Sequence, residues 1–173
     1  MKRGAVAVGN LLKYSMKNFF TLFSLPIEFS LDLDLLERKY FSFQKQFHPD
    51  RAGIAEIENS ININEAYEVL RNPLRRAIHI LQINDIDLEK DESTIKPDLE
   101  TLEAVLEIQE KILNLSDEEI LLLKQSLNSE IKFLLEKAAL HFAKKEFVVA
   151  AQLVIKARYF NNITKNHLNL LSE

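Results

Sequence analysis

Leu33, Leu36, Tyr40, Phe43 and Phe47 follow one another at steps of 3, 4, 3 and 4, a rhythm that an α-helix turns into a single apolar face. At 100° per residue the five lie within about 80° of arc, so the helix has one stripe to bury. Asp32 and Asp34 stand where negative charge favours a helix start, and Pro49 ends the pattern. Upstream, Phe19, Phe20, Leu22, Phe23 and Leu25 crowd into a segment that Pro26 closes, which reads as a short first helix. Downstream, a third helix is expected from about Glu56 to Arg71, with Ser60, Ile63, Tyr67, Leu70 and then Leu74 on one face. The two longer helices, joined by a short turn-rich connection, are expected to pack antiparallel.

Only 3 Gly and 4 Pro punctuate the 173 residues, and 47% are hydrophobic, which points to an all-α chain long enough to bury a sizeable core. From Ile83 to Pro97 the pattern decays into a charged, aperiodic stretch that reads as a linker. Three further helices are expected, over about Asp98 to Asn114, from the capping-box spacing at Ser116 and Glu119 to about Lys144, and over about Glu146 to Leu170. The last would turn Phe147, Ala150, Val154, Ala157 and Leu168 inward. The expected plan is an extension over 1–18, a helical hairpin domain over 19–82, a linker over 83–97 and a C-terminal three-helix bundle over 98–173. No internal repeat is visible, which removes solenoid readings.

The chain has no Cys, which excludes disulfides, thiolate metal sites and cysteine nucleophiles. A net charge of −4 argues against a dedicated nucleic-acid binder, and no apolar run approaches the ~20 residues of a membrane span. The halves differ: residues 1 to 80 hold 11 Lys+Arg against 9 Asp+Glu, and residues 81 to 173 hold 11 against 17. They are expected to meet different partners. The acid-free, basic N-terminus invites a mitochondrial targeting reading but lacks the apolar run and cleavage site of a secretory signal. Met16 offers a second start, which would leave residues 1–15 as a disordered extension.

His48, Pro49 and Asp50 fall between the two antiparallel helices. As chemistry they suggest a base and its orienting carboxylate, but no motif places a nucleophile beside them. As structure they suggest a helix stop and a cap. Their setting, after a helix that carries Arg38, Lys39 and Lys45 on its solvent side, resembles the J domain of the DnaJ family. The resemblance implies a docking site for a DnaK-type chaperone, in which His48 and Asp50 make directional contacts, Pro49 fixes the backbone, and Arg38, Lys39, Lys45 and Arg51 attract an acidic surface.

Three further segments, FFTLFSLP at 19–26, SININEAYEVLRNPLRRA at 60–77 and LEIQEKI at 106–112, are similar to those of the HscB family, J-type co-chaperones of iron–sulfur cluster assembly. That resemblance covers Phe19 to the C-terminus. It implies binding of the scaffold IscU, its delivery to the chaperone HscA, stimulation of that chaperone's ATPase, and no enzymatic activity of its own. The scaffold contacts it implies are Leu102, Glu103, Leu106, Glu107, Glu110 and Tyr159; family members often carry Met where this chain has Glu103, and Phe where it has Tyr159. The missing Cys also implies a bacterial, cytoplasmic type, because eukaryotic members add a cysteine-rich zinc module.

Two readings of the acidic half stay open in the residues themselves. Glu100, Glu103, Glu107 and Glu110 lie within about 80° of arc beside a stripe of Leu102, Leu106 and Leu113. That is either a solvated face next to a buried one, or an acidic ridge next to exposed leucine suited to a basic, apolar partner. On the last helix, Val148, Ile155, Tyr159 and Ile163 form a second stripe opposite the expected core face. His48, His79, His141 and His167 are scattered without a ligand at i,i+4, so no metal or cofactor is expected. A J protein for a different client, a small hydrolase and a helical protein with no chaperone role are the competing functions.

Overall fold

The computed structural model describes residues 18–46, 54–88 and 95–166. They form seven α-helices and no strand: α1 Phe19–Leu22, α2 Leu33–Gln46, α3 Ile54–Arg71, α4 Pro73–Ile83, α5 Leu99–Ile112, α6 Asp117–Ala143 and α7 Phe147–Asn166. None of these helices is long and apolar enough to cross a membrane. The chain divides into two compact units, residues 1–83 and 84–173. His48, Pro49, Asp50, Arg51, Phe47, Leu168 and the expected extension up to residue 17 lie outside the described residues.

In the first unit α3 is the centre, with α1, α2 and α4 packed on it. Phe20, Phe23, Leu36, Ile63, Leu70 and Leu81 are fully buried between them, each worth about 1.5–3 kcal/mol relative to exposure. α2 starts on Asp32, whose carboxylate accepts from the Leu35 N–H at 2.9 Å. The antiparallel α2–α3 pair is cross-linked at its surface by Asn64, whose Oδ1 accepts from the Tyr40 hydroxyl at 2.9 Å and the Gln44 amide at 2.7 Å. Beneath that bridge the Tyr40 and Tyr67 rings stack at 4.1 Å. Leu33 does not join the buried stripe; it is exposed, because it is the first residue of α2 and lies a turn short of Leu36.

A helix of four residues is far below the length that holds itself together, and α1 is secured at both ends. Asn18 Oδ1 accepts from the N–H groups of Phe20 and Thr21, and the remaining first-turn N–H, that of Phe19, donates to Nε2 of His79 on α4 at 3.0 Å. At the other end Ser24 takes φ 49°, and Leu25 N–H reaches back to Phe20 O while Ser24 N–H reaches Thr21 O, the Schellman arrangement. α4 was not expected as a separate helix. Asn72 caps it through Arg75 N–H at 3.0 Å, and Pro73 occupies its first position, where a missing N–H costs nothing.

In the second unit α6 and α7 form an antiparallel hairpin and α5 lies along α7. Glu119 accepts from both the N–H and the hydroxyl of Ser116, which starts α6 and pulls the Glu119 carboxyl below its usual range. α6 ends on Lys145 at φ 59°, with Glu146 N–H bonded to His141 O and Lys145 N–H to Phe142 O. The segment expected as a linker contributes to this unit: Leu88 is buried and its carbonyl accepts from Arg158 Nη1 at 2.7 Å. The second stripe expected on α7 is corrected. Ile155 and Ile163 are buried, because α7 has α6 on one side and α5 on another.

Candidate functional site

Two surfaces carry the residues singled out from sequence, one in each unit. On α2, Arg38 and Lys45 are exposed and Lys39 half-exposed, and none of the three makes an ion pair among the described residues. The helix is positioned by Leu36 on its inner side, so its cations stay on the solvent side. They form a basic strip leading toward residues 47–53.

The end of the hairpin remote from that connection is fixed by Arg76. Its side chain is buried, donates from Nη1 to Leu70 O at 2.6 Å and lies 5.0 Å from the Phe29 ring centre. It thereby satisfies a carbonyl at the end of α3 and holds the α1–α2 connection. Burial lowers its pKa from the ordinary arginine value.

In the second unit the inward side of α5 is Thr101, Ala104, Val105, Ile108 and Ile112. Asp98 starts the helix by accepting from Thr101 N–H at 2.8 Å, and its hydrogen bonds to Thr101 hold its carboxyl below the usual range. Two contacts set α5 against α7: Gln152 Nε2 donates to Lys96 O at 3.0 Å, and Lys156 Nζ to Glu100 Oε1 at 2.7 Å. Both pair residues 56 positions apart, so the two helices run parallel, and the same offset brings Tyr159 level with Glu103.

This packing decides between the two readings of α5. Leu102 is 40% exposed, Leu106 58% and Leu113 82%. The leucine stripe is a surface, beside exposed Glu103, Glu107 and Glu110. Leu106, Glu110 and Leu113 line a depression of about 400 Å³ with Gln109 and Ile112. Glu107 pairs loosely with Lys111 at 4.0 Å and Glu100 is engaged by Lys156, whereas Glu103 and Glu110 have no ion pair among the described residues. Tyr159, half-buried, borders this face from α7. The arrangement offers apolar anchors flanked by unneutralised carboxylates, suited to a partner carrying apolar and basic groups.

Sequence reasoning missed His79. It is buried, its ring stacks on Phe19 at 4.4 Å and lies 6.0 Å from Phe20, and burial lowers its pKa below 6.5, with a hydrogen bond to Gln82 opposing in part. A lone His in an apolar helix gave no signal of that role.

A family model described as the HSCB C-terminal oligomerisation domain matches residues 97–166. The chain is 30% identical over 159 residues to the co-chaperone protein HscB of Buchnera aphidicola subsp. Acyrthosiphon pisum, covering 84% of this chain and 90% of that one. It is 28% identical over 159 residues to the co-chaperone protein HscB homolog of Haemophilus ducreyi, covering 86% and 92%. The solved structure of the chaperone HscB from Vibrio cholerae matches with a TM-score of 0.74 at 27% identity, covering 90% of this chain and 97% of that one. The fold is that of a helical co-chaperone with an N-terminal J domain and a C-terminal helical domain. The chain belongs to the HscB family of co-chaperones.

Proposed function

We propose that this protein binds the iron–sulfur scaffold IscU on the α5 face and delivers it to the DnaK-type chaperone HscA, whose ATPase it stimulates through the first unit. The observation that carries the client half of this reading is the exposure of Leu102, Leu106 and Leu113 beside Glu103, Glu107 and Glu110, with Tyr159 at their border. The chaperone half is supported by Arg38, Lys39 and Lys45, which make no ion pair among the described residues, on the helix that precedes His48, Pro49, Asp50 and Arg51. Function is then coupling: the chaperone hydrolyses ATP, and this protein raises the client's effective concentration at it. Relatives from bacteria support a role in a bacterial cytoplasm.

The test is steady-state ATP hydrolysis by purified HscA with this protein and the scaffold, each omitted in turn. Stimulation by this protein, increased further by scaffold, is expected. Hydrolysis unchanged by its addition refutes the chaperone half, and calorimetry showing no heat of binding to the scaffold refutes the client half.

A further inference from the structure

Phe41 faces away from the core that the other aromatics of α2 serve. Phe43 meets Phe23 edge-on at 5.7 Å, and Tyr40 stacks on Tyr67 at 4.1 Å. Phe41 comes five positions after buried Leu36, about 140° round the helix from it, and is 53% exposed. Arg38, three positions before it, and Lys45, four after it, are exposed as well. The three side chains share about 60° of the outer face. Neither cation makes an ion pair among the described residues.

The ring is held in place from behind. Tyr40 lies against it at 5.6 Å, and Tyr40 is itself fixed by the Tyr67 ring and by the donation of its hydroxyl to Asn64 at 2.9 Å. An aromatic side chain ordered in advance loses little entropy when a partner covers it. Charge indicates what that partner is. Arg38 and Lys45 call for carboxylates beside the ring, while exposed Asp34 and Glu37 on the same side of α2 repel a continuous run of phosphates. Discrete carboxylates around an apolar patch on a folded protein satisfy both conditions.

We propose that Phe41 is an apolar anchor of the α2 docking face, taken up by an apolar patch bordered by carboxylates on the chaperone. This rests on the chaperone half of the proposed function and adds to its charged contacts one of a different physical kind. Surface cations act at a distance, speed encounter and weaken as salt rises. A desolvated ring acts only at contact, slows dissociation and responds little to salt. Salt therefore separates the two contributions.

The test is HscA ATP hydrolysis titrated with the full chain, without scaffold, at about 50 and about 300 mM KCl, which bracket physiological screening. Phe41→Ala is expected to raise the concentration for half-maximal stimulation about tenfold at both salts. Phe41→Leu should stay within about threefold of wild type, because an aliphatic side chain still fills an apolar patch. Lys45→Ala should weaken stimulation at low salt and differ little from wild type at high salt. Urea unfolding of Phe41→Ala should match the wild type, since the ring is half outside the fold. Wild-type stimulation that Phe41→Ala leaves unchanged overturns this inference and spares the proposed function. So does a loss that Phe41→Leu shares in full, that vanishes at high salt, or that follows a fall in unfolding stability. A wild type that stimulates nothing overturns both.

Discussion

Replacing His79 by Phe separates two things that one imidazole does. The ring stacks on Phe19 and Phe20, and Nε2 accepts the Phe19 N–H at 3.0 Å. Phenylalanine keeps the first and removes the second, leaving a part-buried donor unpaired at a cost of about 1–2 kcal/mol. Alanine also loses two ring contacts of about 0.5–1.5 kcal/mol each, for a total of about 2–5 kcal/mol before the cavity it leaves is counted. Acid acts on the same contact, because Nε2 accepts only when the ring is neutral. Burial lowers the folded-state pKa from the ordinary 6.5, so the unfolded chain takes up the proton first. Stability is therefore fully present above pH 6.5 and falls as pH drops from there through the lower folded value. Urea unfolding at pH 7.5 and pH 5.5 measures both effects. The wild type is expected to lose stability across that interval, and His79→Phe to start lower and lose less. Equal stability of His79→Phe and wild type at pH 7.5, or identical pH dependence, would refute the reasoning.

Lys145 holds a left-handed φ of 59° at the end of α6, so Lys145→Gly should stabilise the second unit by about 0.5–1 kcal/mol, read as a higher thermal midpoint. Arg76→Ala empties a buried site and orphans Leu70 O, and a loss of about 2–4 kcal/mol in denaturant unfolding is expected. Leu102→Ala with Leu106→Ala removes exposed side chains, so unfolding should change by less than about 0.5 kcal/mol while scaffold affinity measured by calorimetry drops at least about tenfold.

The helices were legible where one apolar stripe meets one partner. α2 follows that rule against α3, and α6 begins at the Ser116–Glu119 box. On α5 periodicity marked a leucine stripe but not its destination. The helix packs inward through Thr101 and Ala104 beside Val105, smaller residues that a hydrophobicity pattern undervalues, and its larger Leu102 and Leu106 stay outside. α7 misled for the opposite reason, since Ile155 and Ile163 belong to a helix buried on two sides. α4 had its signal in Asn72 and Pro73, masked by an apolar run that reads as continuation of α3. His79 depends on a backbone N–H 60 residues away, which no local pattern encodes.

The central claim is that chaperone stimulation and client binding occupy separate surfaces, and two variants crossed with two assays test it most directly. His48→Gln should abolish stimulation of HscA ATP hydrolysis and leave calorimetric affinity for the scaffold unchanged, while Leu106→Glu should do the reverse with scaffold absent from the ATPase assay. If either variant loses both activities while its circular dichroism matches the wild type, the division between the two units is contradicted.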